Sequence, residues 1–179
     1  MDTQTQRSTD TITLRLPRLE DGSRIYTLVK QSPPLDVNSE YLYFLQSSHF
    51  ANTCVLAEQA DTLAGFVSGY LINNQPEELF IWQVAVASEF RGQQLALRMI
   101  EELLKRPECK KVRSISTTIS PSNRASQRLF EKLADRFGLT IAQQPFIEAQ
   151  QFSQSGHEAE VLYRLSTQPE SYINKHQGA

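Results

Sequence analysis

The segment from Ile81 to Met99, IWQVAVASEFRGQQLALRM, constrains the fold more than any other part of the chain. It opens with Ile81-Trp82-Gln83-Val84-Ala85-Val86, a largely apolar run with β-branched residues that reads as a buried strand. A short polar connection follows, Ala87-Ser88-Glu89-Phe90. Arg91-Gly92-Gln93-Gln94 then leads into apolar residues at helical spacing: Leu95, Met99, Ile100, Leu103 and Leu104. Strand, tight turn and helix together make a place for an anion. The first N–H groups of a helix lack intrahelical partners, and the macrodipole puts partial positive charge there. A diphosphate can be expected on the backbone of residues 92–96, with Arg91 adding charge. An ordinary strand–turn–helix connection fits the same residues, because one short motif is weak evidence.

Length and charge bound the remaining possibilities. A chain of 179 residues is expected to fold as one domain, spanning 11–166, with room for a proper core. The polar stretches 1–10 and 167–179 are expected as flexible tails. A net charge of −2 offers no positive footprint for nucleic acid. No apolar run approaches membrane-spanning length, and the polar start MDTQTQRSTDT lacks the apolar segment of a secretory signal. Cys54 and Cys109 are isolated and read as reduced thiols of a cytoplasmic protein. Three scattered histidines give no expectation of a metal site.

Taken in order, Thr11–Leu16 alternates as a strand and Pro17 stops it. Glu20-Asp21-Gly22 opens a helix carrying Ile25, Leu28 and Val29, ended by Pro33-Pro34. Asn38 or Ser39 can cap a second helix in which Tyr41, Phe44 and Leu45 share a face, leaving Asp36 in the loop ahead of it. Thr53–Glu58 and Leu63–Leu71 read as a hairpin turning at Ala60-Asp61, with Gly65 and Gly69 allowing bends. Asn73–Glu77 reads as a loop before the central strand, whose following helix is stopped by Pro107. Lys111–Ile119 is a further strand. Ser120–Asn123 starts a helix with Ala125, Leu129, Leu133 and Phe137 on its apolar face and Gly138 at its end. Residues 139–156 show no clear pattern, and His157–Leu165 alternates as the last strand with Val161, Tyr163 and Leu165 on one side. The order β-α-α-β-β-β-α-β-α-β implies an α/β (α+β) fold: a mixed sheet flanked by helices, with one β-α-β crossover carrying the glycine turn.

The run R-G-Q-Q-L-A, preceded by V-A-V, resembles the Arg/Gln-x-x-Gly-x-Gly/Ala signature of the GNAT family of acyl-CoA N-acetyltransferases. The succession of elements matches that family's order, and Asn123 falls where the family places an Asn opening the helix after the fifth strand. The resemblance implies the GNAT fold, a mostly antiparallel twisted sheet with a coenzyme A site at a splay beside the central strand. It implies acetyl-CoA as co-substrate. Val84, Ala85 and Val86 would hold the pantetheine arm; Arg91, Gly92, Gln93, Gln94, Leu95 and Ala96 would hold the diphosphate; Asn123 would complete the site. One departure is Gln94, which stands where the family has its central Gly. A Gln keeps its N–H available if its φ stays negative. A second is Phe130, at the place of the Tyr that many members use to protonate the leaving thiolate. That leaves the proton to another group, such as a water near Asn123, or lets the thiolate leave unassisted.

Further stretches are similar to the branch of this family that acetylates the 4-amino group of L-2,4-diaminobutyrate on the way to the compatible solute ectoine. They include Pro17–Gly22, Pro33–Ser39 with Tyr41 and Tyr43, Gly65–Tyr70, Phe80–Val86 and His157–Glu160. This resemblance implies a homodimer and a substrate pocket drawn from Asp36, Tyr41, Trp82, His157 and Glu160. Asp36 and Glu160 would hold or deprotonate amines, Trp82 and Tyr41 would wall the pocket, and Glu160 or His157 would be the base, with Asn123 also close to the chemistry. Two other readings stay open: an acetyltransferase for another small amine or a peptide, and a non-catalytic coenzyme A-binding regulatory module, which Gln94 and Phe130 motivate.

Overall fold

In a computed structural model, which describes residues 11–153, 156–167 and 173, the Ile81–Met99 segment forms the end of a long strand, a turn and the start of a helix. The expected tails, 1–10 and 167–179, lie outside the described residues except for Thr167 and Ile173. The strands are β1 (Thr13–Arg15), β2 (Cys54–Gln59), β3 (Thr62–Ile72), β4 (Gln75–Val86), β5 (Ser114–Ile119), β6 (Thr140–Ile147) and β7 (Glu160–Ser166). The helices are α1 (Gly22–Lys30), α2 (Glu40–Gln46), α3 (Leu95–Leu104) and α4 (Arg124–Phe137). The strands make one mixed sheet in the order β1-β2-β3-β4-β5-β7-β6. β4 and β5 run parallel and bracket α3, so the expected crossover is present. The described residues fall into two compact units, one drawn from Met1–Tyr70 and Gln83–Glu108, the other from Leu71–Trp82 and Cys109–Ala179.

In the first unit, β2 and β3 form the expected hairpin, turning between Gln59 and Thr62 with Ala60 at φ 50°. α1 buries Ile25, Leu28 and Val29 in one cluster with Tyr43, Cys54, Leu56, Phe66 and Ala85. α3 buries Leu95, Leu97, Met99, Ile100, Leu103 and Leu104, the face its spacing requires. Gly65 lets that helix come close: a Cβ there would lie 2.8 Å from Met99 Cε and 3.1 Å from the Ala85 carbonyl oxygen. α2 differs from expectation. Tyr43 and Gln46 are its buried residues, while Tyr41 is 70% exposed. A phenol is tolerated inside because its hydroxyl is hydrogen-bonded, as described below. Arg15, Asp21, Arg24 and Glu58 form a charge network: Arg15 Nη1 meets Asp21 Oδ2 at 2.7 Å, Arg15 Nε meets Glu58 Oε1 at 2.7 Å, and Arg24 Nη1 meets Asp21 Oδ1 at 3.0 Å. It ties β1 and the start of α1 to β2.

In the second unit, α4 buries Phe130, Leu133, Ala134 and Phe137 rather than the expected Ala125 and Leu129. Steps of four residues drift off one face of a helix that turns every 3.6 residues, and the correct set follows i, i+3, i+4, i+7. β4 begins at Gln75, so the expected loop 73–77 contracts to a turn at 73–74; β5 begins at Ser114, later than expected. β6 is a strand the pattern did not disclose. It pairs with β7 at the sheet edge and is exposed along most of its length, so no apolar alternation marks it. β7 begins at Glu160, leaving His157 in the preceding loop, while Tyr163 and Leu165 are buried as the alternation predicts. Ile173 is fully buried, and its N–H donates to the Val112 carbonyl at 3.2 Å.

Candidate active site

In the first unit, β4 delivers its chain at Val86 into a short 3-10 turn at Ser88–Phe90 and then into Arg91–Gln94. Arg91 Nε donates back to the Val86 carbonyl at 3.2 Å, holding the arginine over the strand end. Gly92 takes φ 79°, and a Cβ placed on it would meet nothing within 4 Å, so its side of the turn is open. Gln94 is the N-cap of α3, and its φ is 56° and ψ 22°, the left-handed region. The expectation of a negative φ is therefore corrected: the turn demands the conformation a glycine adopts readily, and Gln94 adopts it at a cost. Its carbonyl accepts the first intrahelical bond, from Arg98 N at 3.0 Å.

No side chain caps α3, and its first turn contains no acidic residue. α4 is different, since Asn123 Oδ1 accepts from Ser126 N at 3.1 Å. The two N-termini thus differ in the way that matters for an anion: one is filled by the protein's own side chain, the other presents its amides beside Gly92 and Arg91. These residues fit the diphosphate of a coenzyme A. Cys54 plays no nucleophilic part, because burial pushes its thiol up to about 12.

Asp36 and Tyr41 also belong to the first unit, and both are exposed. Their segment is anchored by residues to which the sequence assigned no role. Gln83, 5% exposed on β4, donates from Nε2 to the Asp36 carbonyl at 2.6 Å. Its Oε1 accepts from Tyr43 Oη at 3.3 Å, and Tyr43 Oη accepts from Asn38 N at 3.2 Å. The sequence carried a signal: Gln83 is the one amide within Ile81–Val86, at a position that alternates inward with Ile81 and Ala85.

The second unit holds Trp82, Asn123, His157 and Glu160. The β4–β5 ladder ends at Phe80↔Ser116, although β4 continues to Val86 and β5 to Ile119. Trp82 lies just past that end and is 44% exposed. β5 pairs with β7 to Ile119↔Val161, so Glu160 sits at the end of the sheet from which the chain leaves for α4. Glu160 is partly buried and opposes Ile147 of β6. The preceding loop is fixed by Glu158, another residue not singled out. Its Oε2 accepts from Ser122 N at 2.9 Å, and hydrogen bonding to the Ser122 hydroxyl and amide holds its carboxyl below the usual range. That bond brings the 157–160 segment beside the start of α4 and Asn123. His157 stacks on Phe152, ring centroids 4.7 Å apart. Phe130 is 2% exposed within the core. Among the described residues no helix is long and apolar enough to cross a membrane, and no group of three or more His, Cys, Asp or Glu is placed to hold a metal ion.

Comparison with known proteins places this geometry. Residues 22–134 match the acetyltransferase (GNAT) family. The chain is 46% identical over 153 residues to an L-2,4-diaminobutyric acid acetyltransferase of Bordetella parapertussis, covering 85% of this chain and 82% of that one. It is 44% identical over 151 residues to the enzyme of the same name from Vibrio parahaemolyticus, covering 84% and 83%. Among solved structures, the diaminobutyrate acetyltransferase EctA of Paenibacillus lautus, in complex with L-2,4-diaminobutyric acid and coenzyme A, superimposes with a TM-score of 0.85 at 37% identity, covering 88% of this chain and 95% of that one. The chain therefore belongs to the GNAT acetyltransferase family and, within it, to the L-2,4-diaminobutyric acid acetyltransferases.

Proposed function

We propose that the chain transfers the acetyl group of acetyl-CoA to the 4-amino group of L-2,4-diaminobutyrate, a step in ectoine biosynthesis. The observation that carries this reading is the similarity, continuous over most of the chain, to a structure holding both diaminobutyric acid and coenzyme A. The uncapped N-terminus of α3 supports it from the chain's own geometry.

In this reading the amine nitrogen attacks the thioester carbonyl carbon directly. The C–S bond of the tetrahedral intermediate then breaks, and the thiolate takes a proton. The attacking amine must first lose a proton, since a free alkylammonium has a pKa of about 10. Glu160 is the preferred base: it is a partly buried carboxylate at the sheet end nearest the α4 connection, whereas His157 is exposed and stacked on Phe152. The Val84 N–H serves the oxyanion. Val84, Ala85 and Val86 hold the pantetheine arm. The amides of Gly92, Gln93, Gln94, Leu95 and Ala96, with Arg91, hold the diphosphate. Asn123 commits its Oδ1 to the α4 cap, so its amide nitrogen is the part assigned to the site. Asp36 pairs the 2-ammonium, with Tyr41 and Trp82 as walls. A homodimer and a cytoplasmic location complete the proposal; the buried free thiols of Cys54 and Cys109 support the latter.

The test is coenzyme A release, followed with a thiol reagent, alongside calorimetric titration of acetyl-CoA. Release that depends on diaminobutyrate supports the proposal. Binding of acetyl-CoA with no release on any amine overturns it in favour of a non-catalytic module.

A further inference from the structure

Gln83 and Tyr43 are buried polar side chains with no assigned part in the reaction, yet they bond to the backbone of the loop that carries Asp36. We infer that Gln83, seconded by Tyr43, is a positioning residue for diaminobutyrate binding, acting by fixing the Asp36 segment. The inference rests on the reading of Asp36 as the partner of the substrate's second ammonium.

A primary amide inside a strand of Ile, Val and Ala costs stability unless its donors and acceptor are met. Here the amide spans two elements. It gives a hydrogen bond of 2.6 Å to the Asp36 carbonyl and takes one of 3.3 Å from Tyr43 Oη, which in turn takes one of 3.2 Å from Asn38 N. Two backbone groups of the segment, the carbonyl of residue 36 and the amide of residue 38, are thereby tied to β4 and α2. Both bonds use the backbone of the segment, so neither consumes the Asp36 carboxylate. Gln can donate at one end and accept at the other; Glu cannot donate to a carbonyl, and Leu can do neither. The strand that carries Val84, assigned to the oxyanion, thus also holds the backbone that carries the carboxylate assigned to the other end of the amine.

The test is a double-mutant cycle on Gln83→Glu and Asp36→Asn, with KM read separately for diaminobutyrate and acetyl-CoA. Gln83→Glu should raise the diaminobutyrate KM about 10- to 100-fold, as a misplaced binding group does, and change the acetyl-CoA KM less than about twofold. In the Asp36→Asn background the same substitution should add less than about twofold, because the group it positions is already lost. Tyr43→Phe, which deletes one oxygen and keeps the buried ring, should raise the diaminobutyrate KM about threefold to tenfold, the effect of one lost hydrogen bond; it keeps the inference testable if Gln83→Glu fails to fold. Equal effects on both KM values, a full Gln83→Glu effect in the Asp36→Asn background, or no effect of Gln83→Glu and Tyr43→Phe would overturn the inference. If Asp36→Asn alone leaves the diaminobutyrate KM unchanged, the Asp36 reading is what fails. If it raises that KM while the Gln83 and Tyr43 variants do not, only the positioning role fails.

Discussion

Replacing Gln94 with Gly should stabilise the protein and leave acetyl-CoA binding at least as tight. Gln94 holds φ 56°, ψ 22° at the N-cap of α3, and it is exposed. A non-glycine residue in the left-handed region costs about 1–2 kcal/mol. Gly removes that cost but brings about 0.5–1 kcal/mol of extra chain entropy to the unfolded state. The difference is a gain of about 0–1.5 kcal/mol, or a Tm rise of about 2–4 °C per kcal/mol for a chain of this size. The backbone bond from Arg98 N to the Gln94 carbonyl survives, since no side-chain atom takes part. Urea and thermal unfolding would measure the stability, and calorimetry the acetyl-CoA affinity. A companion, Gln94→Val, should lose about 1–2 kcal/mol, because a β-branched residue tolerates positive φ poorly. Destabilisation by Gln94→Gly would refute the strain argument. A tenfold loss of acetyl-CoA affinity would show that the Gln side chain itself holds the cofactor.

Other perturbations follow from the same geometry. Glu160→Gln should cut kcat about 100-fold or more while leaving the unfolding curve unchanged, as for loss of a general base; near-normal turnover removes Glu160 from the mechanism. Asn123→Ala should cost about 1 kcal/mol through the lost α4 cap, whereas Asn123→Asp keeps the cap. A fall in kcat for Asn123→Asp at full stability isolates the chemical role, and unchanged kcat confines Asn123 to capping. Arg15→Met should cost about 3 kcal/mol at neutral pH by leaving the buried Asp21 carboxylate short of its partner. The pH dependence has a definite sign. Burial pushes the Asp21 carboxyl up, but hydrogen bonds from Arg15 and the Arg18 amide, with the Arg15 and Arg24 charges, bring it below its ordinary value. Glu58 is lowered chiefly by its hydrogen bond to Arg15. Depressed carboxylates contribute stability above their unfolded pKa of about 4 and lose it as pH falls through the folded values. Urea midpoints from pH 6 to 2 should therefore fall in the native chain and flatten in Arg15→Met; parallel curves would contradict the network's role.

What the sequence disclosed follows from where periodicity survives. The strand–turn–helix at Ile81–Met99 was legible because its strand is a run of mostly apolar and β-branched residues, with Ile81 and Ala85 buried, and its helix is amphipathic. The β2–β3 hairpin was legible for the same reason. β6 was hidden because an exposed edge strand needs no alternation, and its Pro145 sits where the ladder with β7 shifts register. The face of α4 was misread because Ala125 and Leu129 extend a four-residue spacing that the helix does not keep. The positive φ of Gln94 was hinted at only by the glycine that the resembled family has at that place, since a Gln seldom adopts it. At the candidate site, Arg91, Gly92 and Asn123 were marked by motif and Gln83 only by its inward place in the strand, while the partners of Gln83 and Glu158 are backbone groups of other segments, which no spacing rule reveals.

The most direct test of the central claim is the position of the acetyl group on the product. Purified protein would receive acetyl-CoA with L-2,4-diaminobutyrate and, in parallel, ornithine, lysine and a short peptide. The products would be read by mass spectrometry and proton NMR. The account predicts turnover strongly favouring diaminobutyrate, with acetate on the 4-amino group. Acetylation of the 2-amino group, or preference for any of the other amines, would contradict it.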